Sequence, residues 1–430
     1  MMHSKLNSYS ALSRCFSITA LIILLSCGCN VRHYEESGDY VLEKGGDLLW
    51  YNQPSGFFYE GKEKRTYLTW MDDERNVEVC YYDENKQQLS EVKKIKEWSY
   101  LDDHGQPVLQ VMQNGKYKGH ILVFLNLHNS PLSFIRSQEA ENIEAFSEEK
   151  IIDSGAVTYP SIVEDKAGRL MVFYKKNVFE QGEIRTRALF YRSSDDGGDT
   201  WSSEKELLNF GKNTWIYSIA PAIKNDTIHV AFSIKDSLST KVKDVFYVRS
   251  SDWGNSWETE KAQQLLLPIG HLPGKIYETP ANSETRVWDL KTDLYGRPVI
   301  AFYKYNTENG VAYTAVYRGD VWNITRVSES ENVYYPAGIA IDEKNPATVY
   351  TAENNGGGVT IAERLYDTSK KGYEFVKYIS LNKTRDQVRP QLVKNYSNLK
   401  LLWVDVLEYK HYQNFKTNIK AYFINKPKSN

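Results

Sequence analysis

The chain of 430 residues sets 53 Lys and Arg against 55 Asp and Glu, a net charge of −2, and is 41% hydrophobic. That balance excludes a basic nucleic-acid binder and a charge-dominated disordered chain, and the length is enough to bury a large core. The presence of 31 Tyr and 10 Trp against 5 Met favours strands and aromatic binding surfaces over helical bundles.

Lys5 and Arg14 lead into the apolar run FSITALIILLS, too short for a typical membrane-spanning helix, and then LLSCGC. This is a signal peptide. Ser26 directly before Cys27 looks like a bacterial lipobox, which makes Cys27 the lipidated residue and the mature N-terminus. The expected boundaries are 1–26 for the lipoprotein signal, 27–45 for a tether and 46–430 for the folded domain. The expected location is the bacterial cell envelope, with the lipid anchor in a membrane, the outer one above all. Removal of Cys15 with the signal and lipidation of Cys27 leave Cys29 and Cys80, so no disulfide framework is expected.

From residue 65 onward a unit recurs: an apolar or aromatic strand, a polar turn, a second strand ending in Tyr or Phe, and a charged turn. In chain order the copies are RTYLTWMDDERNVEVCYYD, GHILVFLNLHNSPLSFIRS, GRLMVFYKKN with RALFYRSS, DTIHVAFSIKD with DVFYVRSS, RPVIAFYKYNTENGVAYTAVYRG, ATVYTAENNGGGVTIAERLYD and LKLLWVDVLEYKHYQNFKTNIKAYFI. Seven units spaced by roughly 50 residues, each unable to bury both faces alone, predict an all-β, seven-bladed β-propeller.

Two copies end in a second repeat, SDDGGDTW at Ser194–Trp201 and SSDWGNSW at Ser250–Trp257. Asp196 and Asp252 are expected to accept backbone N–H bonds, Gly198 and Gly254 to supply positive φ or close approach, and Trp201 and Trp257 to anchor the turn. The pattern resembles the Asp box of sialidase-like propellers, a structural turn. It lacks the alternating oxygen ligands of a calcium loop.

Four segments stand outside the blade pattern. YLDDHGQPVLQV holds Asp102, Asp103 and His104, and FLNLHNSPLSF holds His128, so two histidines one strand pair apart are placed to reach one pocket at the propeller mouth. VTYPSIVEDKAGRLMVFYKKN carries Tyr159, Tyr174 and Lys175 and leads to Arg192 in ALFYRSS. SETRVWDLKTD carries Arg286, Trp288 and Asp289. NVYYPAGIAIDEKNP carries Tyr334 and Tyr335, and RDQVRPQLV carries Arg385 and Arg389.

Taken in order, DDHGQP, LHNSPLSF, TYPSI, RVWDL, YPAGIAID and VRPQL resemble the BNR-4 group of seven-bladed propellers from about Trp50 to the C-terminus. The group and its structural relatives act on uronate- and rhamnose-containing polysaccharides such as ulvan. The resemblance therefore implies a carbon–oxygen lyase or dehydratase working by β-elimination on a uronate-containing oligosaccharide. Such an elimination needs a base for the C5 proton, an acid for the leaving oxygen and a cation for the carboxylate, and it requires no metal or cofactor. Carried over residue by residue, the resemblance makes His104 or His128 the base, Tyr174 the acid and Arg192 the carboxylate clamp. Arg286, Trp288, Tyr334, Tyr335 and Arg389 are the expected substrate-binding set.

The segment WYNQPSGFF departs from the group's pattern, and Gln53 stands where the rhamnosidase relatives place a catalytic histidine. Glutamine is no general base, which weakens that alternative. A sialidase-like hydrolase and a non-catalytic glycan-binding lipoprotein complete the set of readings.

Overall fold

The computed structural model describes residues 40–425, apart from 237, 239–240, 272–273, 307–308, 332–336, 357 and 381–384. Lipidation of Cys27 and the substrate-binding role of Tyr334 and Tyr335 therefore concern residues outside those described.

The fold is an all-β, seven-bladed β-propeller, and the seven sequence units are the middle strand pairs of its blades. Lys64–Asp72 with Asn76–Asp83 forms the middle of the first blade, Ile121–Leu125 with Ser130–Arg136 that of the second, and Leu170–Glu180 with Glu183–Ser194 that of the third. Thr227–Asp236 with Val242–Ser250, Pro298–Tyr305 with Asn309–Arg318, Thr348–Asn354 with Val359–Asp367, and Leu399–His411 with Asn414–Phe423 complete the set.

Inner strands precede these pairs, among them Val108–Val111, Glu284–Thr292, Ile339–Ile341 and Gln387–Leu392. The strand Lys150–Glu164 serves two blades. Its first half pairs with Ser130–Arg136 and its second with Leu170–Glu180.

The strand Tyr40–Lys44 corrects the expected tether boundary. It pairs with Asn414–Phe423, Tyr40 opposite Ala421, and so supplies the outer strand of the last blade from the other end of the chain. The pairing joins the two ends of the ring and covers an edge that would otherwise stay open.

Strand parity explains why the units read as almost wholly apolar rather than alternating. Along Thr227–Asp236, Ile228, Val230 and Phe232 enter the cluster shared with Met171, Phe173 and Tyr191 of the third blade. Ala231, on the opposite face, joins the next cluster, with Val287 and Phe302 of the fifth. A blade is covered on both sides, so both parities are selected for burial, at roughly 1.5–3 kcal/mol per large apolar side chain.

Both Asp boxes close the turn after the third strand of a blade with the same set of bonds. Ser194 Oγ donates to Asp196 at 2.8 Å and accepts from Gly198 N–H at 2.7 Å, while Asp196 accepts from Thr200 N–H at 2.9 Å and its hydroxyl at 2.6 Å. Ser250, Asp252, Gly254 and Ser256 repeat these at 2.9, 2.8, 2.9 and 2.6 Å. Gly198 and Gly254 have φ of 95° and 77°, the region glycine enters without strain.

The ring axis is plugged by chain. Between the half-strands Gly46–Asp47 and Gly56–Glu60 of the first blade, residues 48–55 run through the middle. Trp50 stacks on Trp288 at 4.4 Å, and Tyr51 lies 4.4 Å from the Tyr159 ring. Antiparallel alternation then fixes which features share a face. Connections into an inner strand and turns between second and third strands lie on one face, whereas the Asp boxes lie on the other.

Candidate functional site

His104 sits in a single 3₁₀ turn, Asp103–Gly105, on the connection into the inner strand of the second blade, and Asp102 caps that turn by accepting from His104 N–H at 3.0 Å. His128 sits in the turn between the second and third strands of the same blade. The two imidazoles stack in parallel, centroids 4.0 Å apart and planes 2° apart. Tyr412, in the corresponding turn of the last blade, meets both rings edge-on at 5.1 and 5.8 Å, and Tyr159 stacks on His104 at 5.4 Å. The structure thus brings together the two histidines that the sequence placed in one pocket.

Their pKa values move in opposite directions for a visible reason. His104 Nδ1 lies 2.7 Å from Asp102 and 2.9 Å from Asp103. Burial works against its protonation, but two carboxylates outweigh burial and raise its pKa. His128 Nδ1 is 3.5 Å from the other oxygen of Asp102. Here burial prevails over that single partner, the His104 charge adds to it, and the pKa falls. Burial would raise Asp102 itself, and the bonds from both imidazoles instead hold it far below the usual carboxylate range. The result is two imidazoles on one carboxylate, of which His104 holds a proton more tightly than His128.

Asp102, His104 and His128 also bring three donor atoms within 4.8 Å of one another, a spacing a metal ion can use. Those atoms already engage each other, and a cation would have to displace the His104 proton.

Beyond the histidines the same mouth is lined by cations set against rings. Lys175, 3% exposed, places Nζ 4.2 Å from the Tyr159 centroid and 4.6 Å from that of Tyr217. Arg187 lies 3.9 Å over Trp215, and Lys235 lies 4.7 Å over the same ring. Arg286 lies 5.5 Å from Tyr217 and donates through Nε to Tyr305 Oη at 2.7 Å, and that hydroxyl donates to Glu284 at 2.9 Å. Tyr159 holds this position with φ of 58°, a strained left-handed conformation for a buried aromatic residue.

Tyr174 and Arg192 are brought together with each other but not with the histidines, which corrects the acid and clamp expected of them. Tyr174 is fully buried in the cluster between the second and third blades, with Phe124 and Phe134. Its hydroxyl lies 3.0 Å from Asp153 and 3.1 Å from Glu204, and it accepts from Arg192 Nε at 3.2 Å. Arg192 also reaches Asp153 at 3.3 Å, and Lys176 reaches both carboxylates. The reason is the period of two along Leu170–Glu180, which turns Tyr174 toward the second blade and Lys175 toward the fourth.

Two expected substrate-binding residues are likewise structural. Trp288 is fully buried under Trp50. Arg389 is 2% exposed, holds Asp47 at 3.1 Å and Asp103 at 3.2 Å, and so braces the carboxylate that supports His104. Arg286 alone of that set lies in the described mouth. Sequence reasoning assigned no role to Tyr159, Lys175, Arg187, Tyr217, Lys235 or Tyr305. Tyr159 and Lys175 lay in a noted segment, and strand parity was the signal that could have separated Lys175 from Tyr174.

A cavity of about 620 Å³ opens on the opposite face, among turns that follow the inner strands, with Gln53 in its wall. Gln53 donates to Trp50 O at 2.8 Å. The polar groups there satisfy one another: Glu164 accepts from Gln110 at 2.7 Å and from the N–H groups of Gln113 and Asn114, and Lys394 donates to Gln110 at 3.3 Å. No histidine is among its lining residues, and His104 and His128 lie at the other mouth.

Comparison with known proteins agrees with this architecture. A structure described as a PL25 ulvan lyase superposes with a TM-score of 0.71 at 15% identity, covering 90% of this chain and 95% of that one. A second, described as a PL25 ulvan lyase bound to -[GlcA(1-4)Rha3S]-, gives 0.70 at 14% identity over 90% and 95%. The polysaccharide lyase Uly1 gives 0.61 at 11% identity over 87% and 90%. None of the curated proteins matches the sequence. The model of the BNR repeat-containing family, BNR_4, matches residues 65–330, more than half of the chain, which thus belongs to that family.

Proposed function

We propose that the protein is an exported carbohydrate-active enzyme that eliminates a group from C4 of a uronate in an oligosaccharide, with ulvan the expected source. The observation that carries this reading is the stacked pair of histidines on a shared aspartate, one facing two carboxylates and the other facing one at longer range. Elimination needs an acid and a base on neighbouring atoms of one ring, in opposite protonation states, and this pair supplies both. The fold match to ulvan lyases, one of them bound to a glucuronate–rhamnose sulfate, supports the substrate class.

In this reading His128, neutral and hydrogen-bonded through Nδ1, uses Nε2 to take the C5 proton. His104 gives its proton to the leaving oxygen as the C4–O bond breaks and the C4–C5 double bond forms. Arg286, positioned by Tyr305 and Glu284, holds the carboxylate while charge develops on it. Tyr217 and Tyr159, both buried, position Lys175 and Arg286 beside the site. The roles once expected of Tyr174 and Arg192 pass to His104 and Arg286.

Incubation with ulvan oligosaccharides, followed by ultraviolet absorbance and product masses, tests the reading. Unsaturated uronate with shorter chains marks a lyase, and unsaturated uronate with loss of one water marks a dehydratase. Free rhamnose without new absorbance would instead mark a hydrolase and overturn the proposal, as would binding with no product.

A further inference from the structure

Lys175 is a buried cation-forming group without an anion. Among the described residues its amine makes ring contacts to Tyr159 and Tyr217 but no hydrogen bond and no ion pair. The charged groups facing it from neighbouring elements are mostly of its own sign. They are Arg187 on the third strand of its blade, Lys235 at the end of the second strand of the fourth, and Arg286 on the inner strand of the fifth. His128 faces it from the second blade. Glu284, the acid of this wall, lies 3.6 Å from Arg286 and accepts from Tyr305.

An ammonium enclosed by rings and three cations lacks both water and a counter-charge, so burial first and those cations second push the amine well below the usual lysine range. A ligand anion entering the mouth would reverse the balance, because it supplies the missing counter-charge at the place where the cations converge. We propose that Lys175 is an anion-gated proton acceptor: buried between two tyrosine rings with no counter-charge of its own, it takes one proton from solvent when a sugar carboxylate or sulfate monoester binds, and the resulting ion pair holds the ligand. No bond of the ligand breaks in this step. The Lys175 charge is thereby created on demand rather than held beside three other cations in the empty site, where it would oppose folding. The inference rests on the reading of this mouth as an anionic-glycan site, but not on the elimination.

Calorimetric titration tests it without turnover. At pH 8, methyl β-glucuronoside, methyl rhamnoside 3-sulfate and neutral methyl rhamnoside are titrated in buffers of different ionisation enthalpy. The expected result is uptake of about one proton per bound anion, with affinity falling up to about tenfold per pH unit as the pH rises through the alkaline range. The neutral sugar should bring no uptake, and the anion that binds identifies which source the site reads. Lys175→Met should lose the uptake, whereas Lys175→Arg, charged throughout, should bind the anion without it. Far-UV circular dichroism and melting establish that both variants are folded, and the arginine variant suffices if the methionine one is not.

Anion binding by the wild type without uptake would overturn the proposal. Uptake that survives in Lys175→Met would also do so, since it would assign the proton to His128, and so would failure of both anions to bind. Anion-linked uptake in a protein that forms no unsaturated product would leave this inference standing and remove the lyase reading.

Discussion

The pKa values of His104 and His128 shift in opposite directions because one imidazole faces two carboxylates and the other faces one at longer range. The base must be neutral, so activity should rise with pH through the His128 pKa, which lies below the ordinary 6.5, and the acid must be charged, so it should fall as pH passes the His104 pKa, which lies above it. A bell-shaped kcat/KM profile is the expected outcome, and a flat one would reject the pair. His128→Ala should lower kcat by about 10²–10⁴-fold.

The linkage to stability follows the same signs. The His104 contribution is complete below the unfolded value of 6.5 and is lost as pH rises through the raised folded value. Asp102 contributes above its unfolded value of 3.8 and loses that only as pH falls through its lowered one. Melting temperature of the wild type relative to His104→Asn should therefore shrink toward alkaline pH. Tyr174→Phe should keep turnover while losing about 1–3 kcal/mol of stability, because its hydroxyl serves Asp153, Glu204 and Arg192 inside the blade interface. Loss of product with unchanged stability would restore Tyr174 to the catalytic group.

At the scale of elements, the Asp boxes were legible from residues alone, since every bond that defines them spans two or four positions in the chain. Their tryptophans depend on more distant partners: Trp257 is fully buried and its Nε1 reaches Tyr191 Oη at 3.4 Å across the neighbouring blade. Trp257→Ala should destabilise by about 3–5 kcal/mol, read from denaturant unfolding. Chelation by EDTA should leave the melting temperature unchanged, because the Asp196 and Asp252 oxygens are occupied by hydroxyl and N–H donors. The side of a strand on which a functional residue stands was harder to read. Leu170–Glu180 is buried on both faces over much of its length, so its apolar pattern carries no mark of parity. Tyr174 and Lys175 then looked equally placed until the neighbouring blades were in position.

Across the whole molecule, the strand Tyr40–Lys44 ties the start of the domain to its end, and removal of residues 40–44 should lower the melting temperature and promote association through the bared edge of Asn414–Phe423. For the segment before it we propose a lipid anchor at Cys27. Cys27→Ser should move the protein from the detergent to the aqueous phase on partition, and an unchanged distribution would remove the anchor. The repeat of seven strand pairs, the turn chemistry of the Asp boxes and the closeness of His104 to Asp102 were determined by the sequence, because each depends on periodicity or on neighbours a few residues apart. The meeting of Lys175, Tyr217, Lys235 and Arg286 from three blades, the retirement of Trp288 and Arg389 into the interior, and the separation of Tyr174 from the histidines were decided only by the tertiary structure. Ring closure and blade stacking place residues far apart in the chain against one another, and no local pattern encodes that pairing.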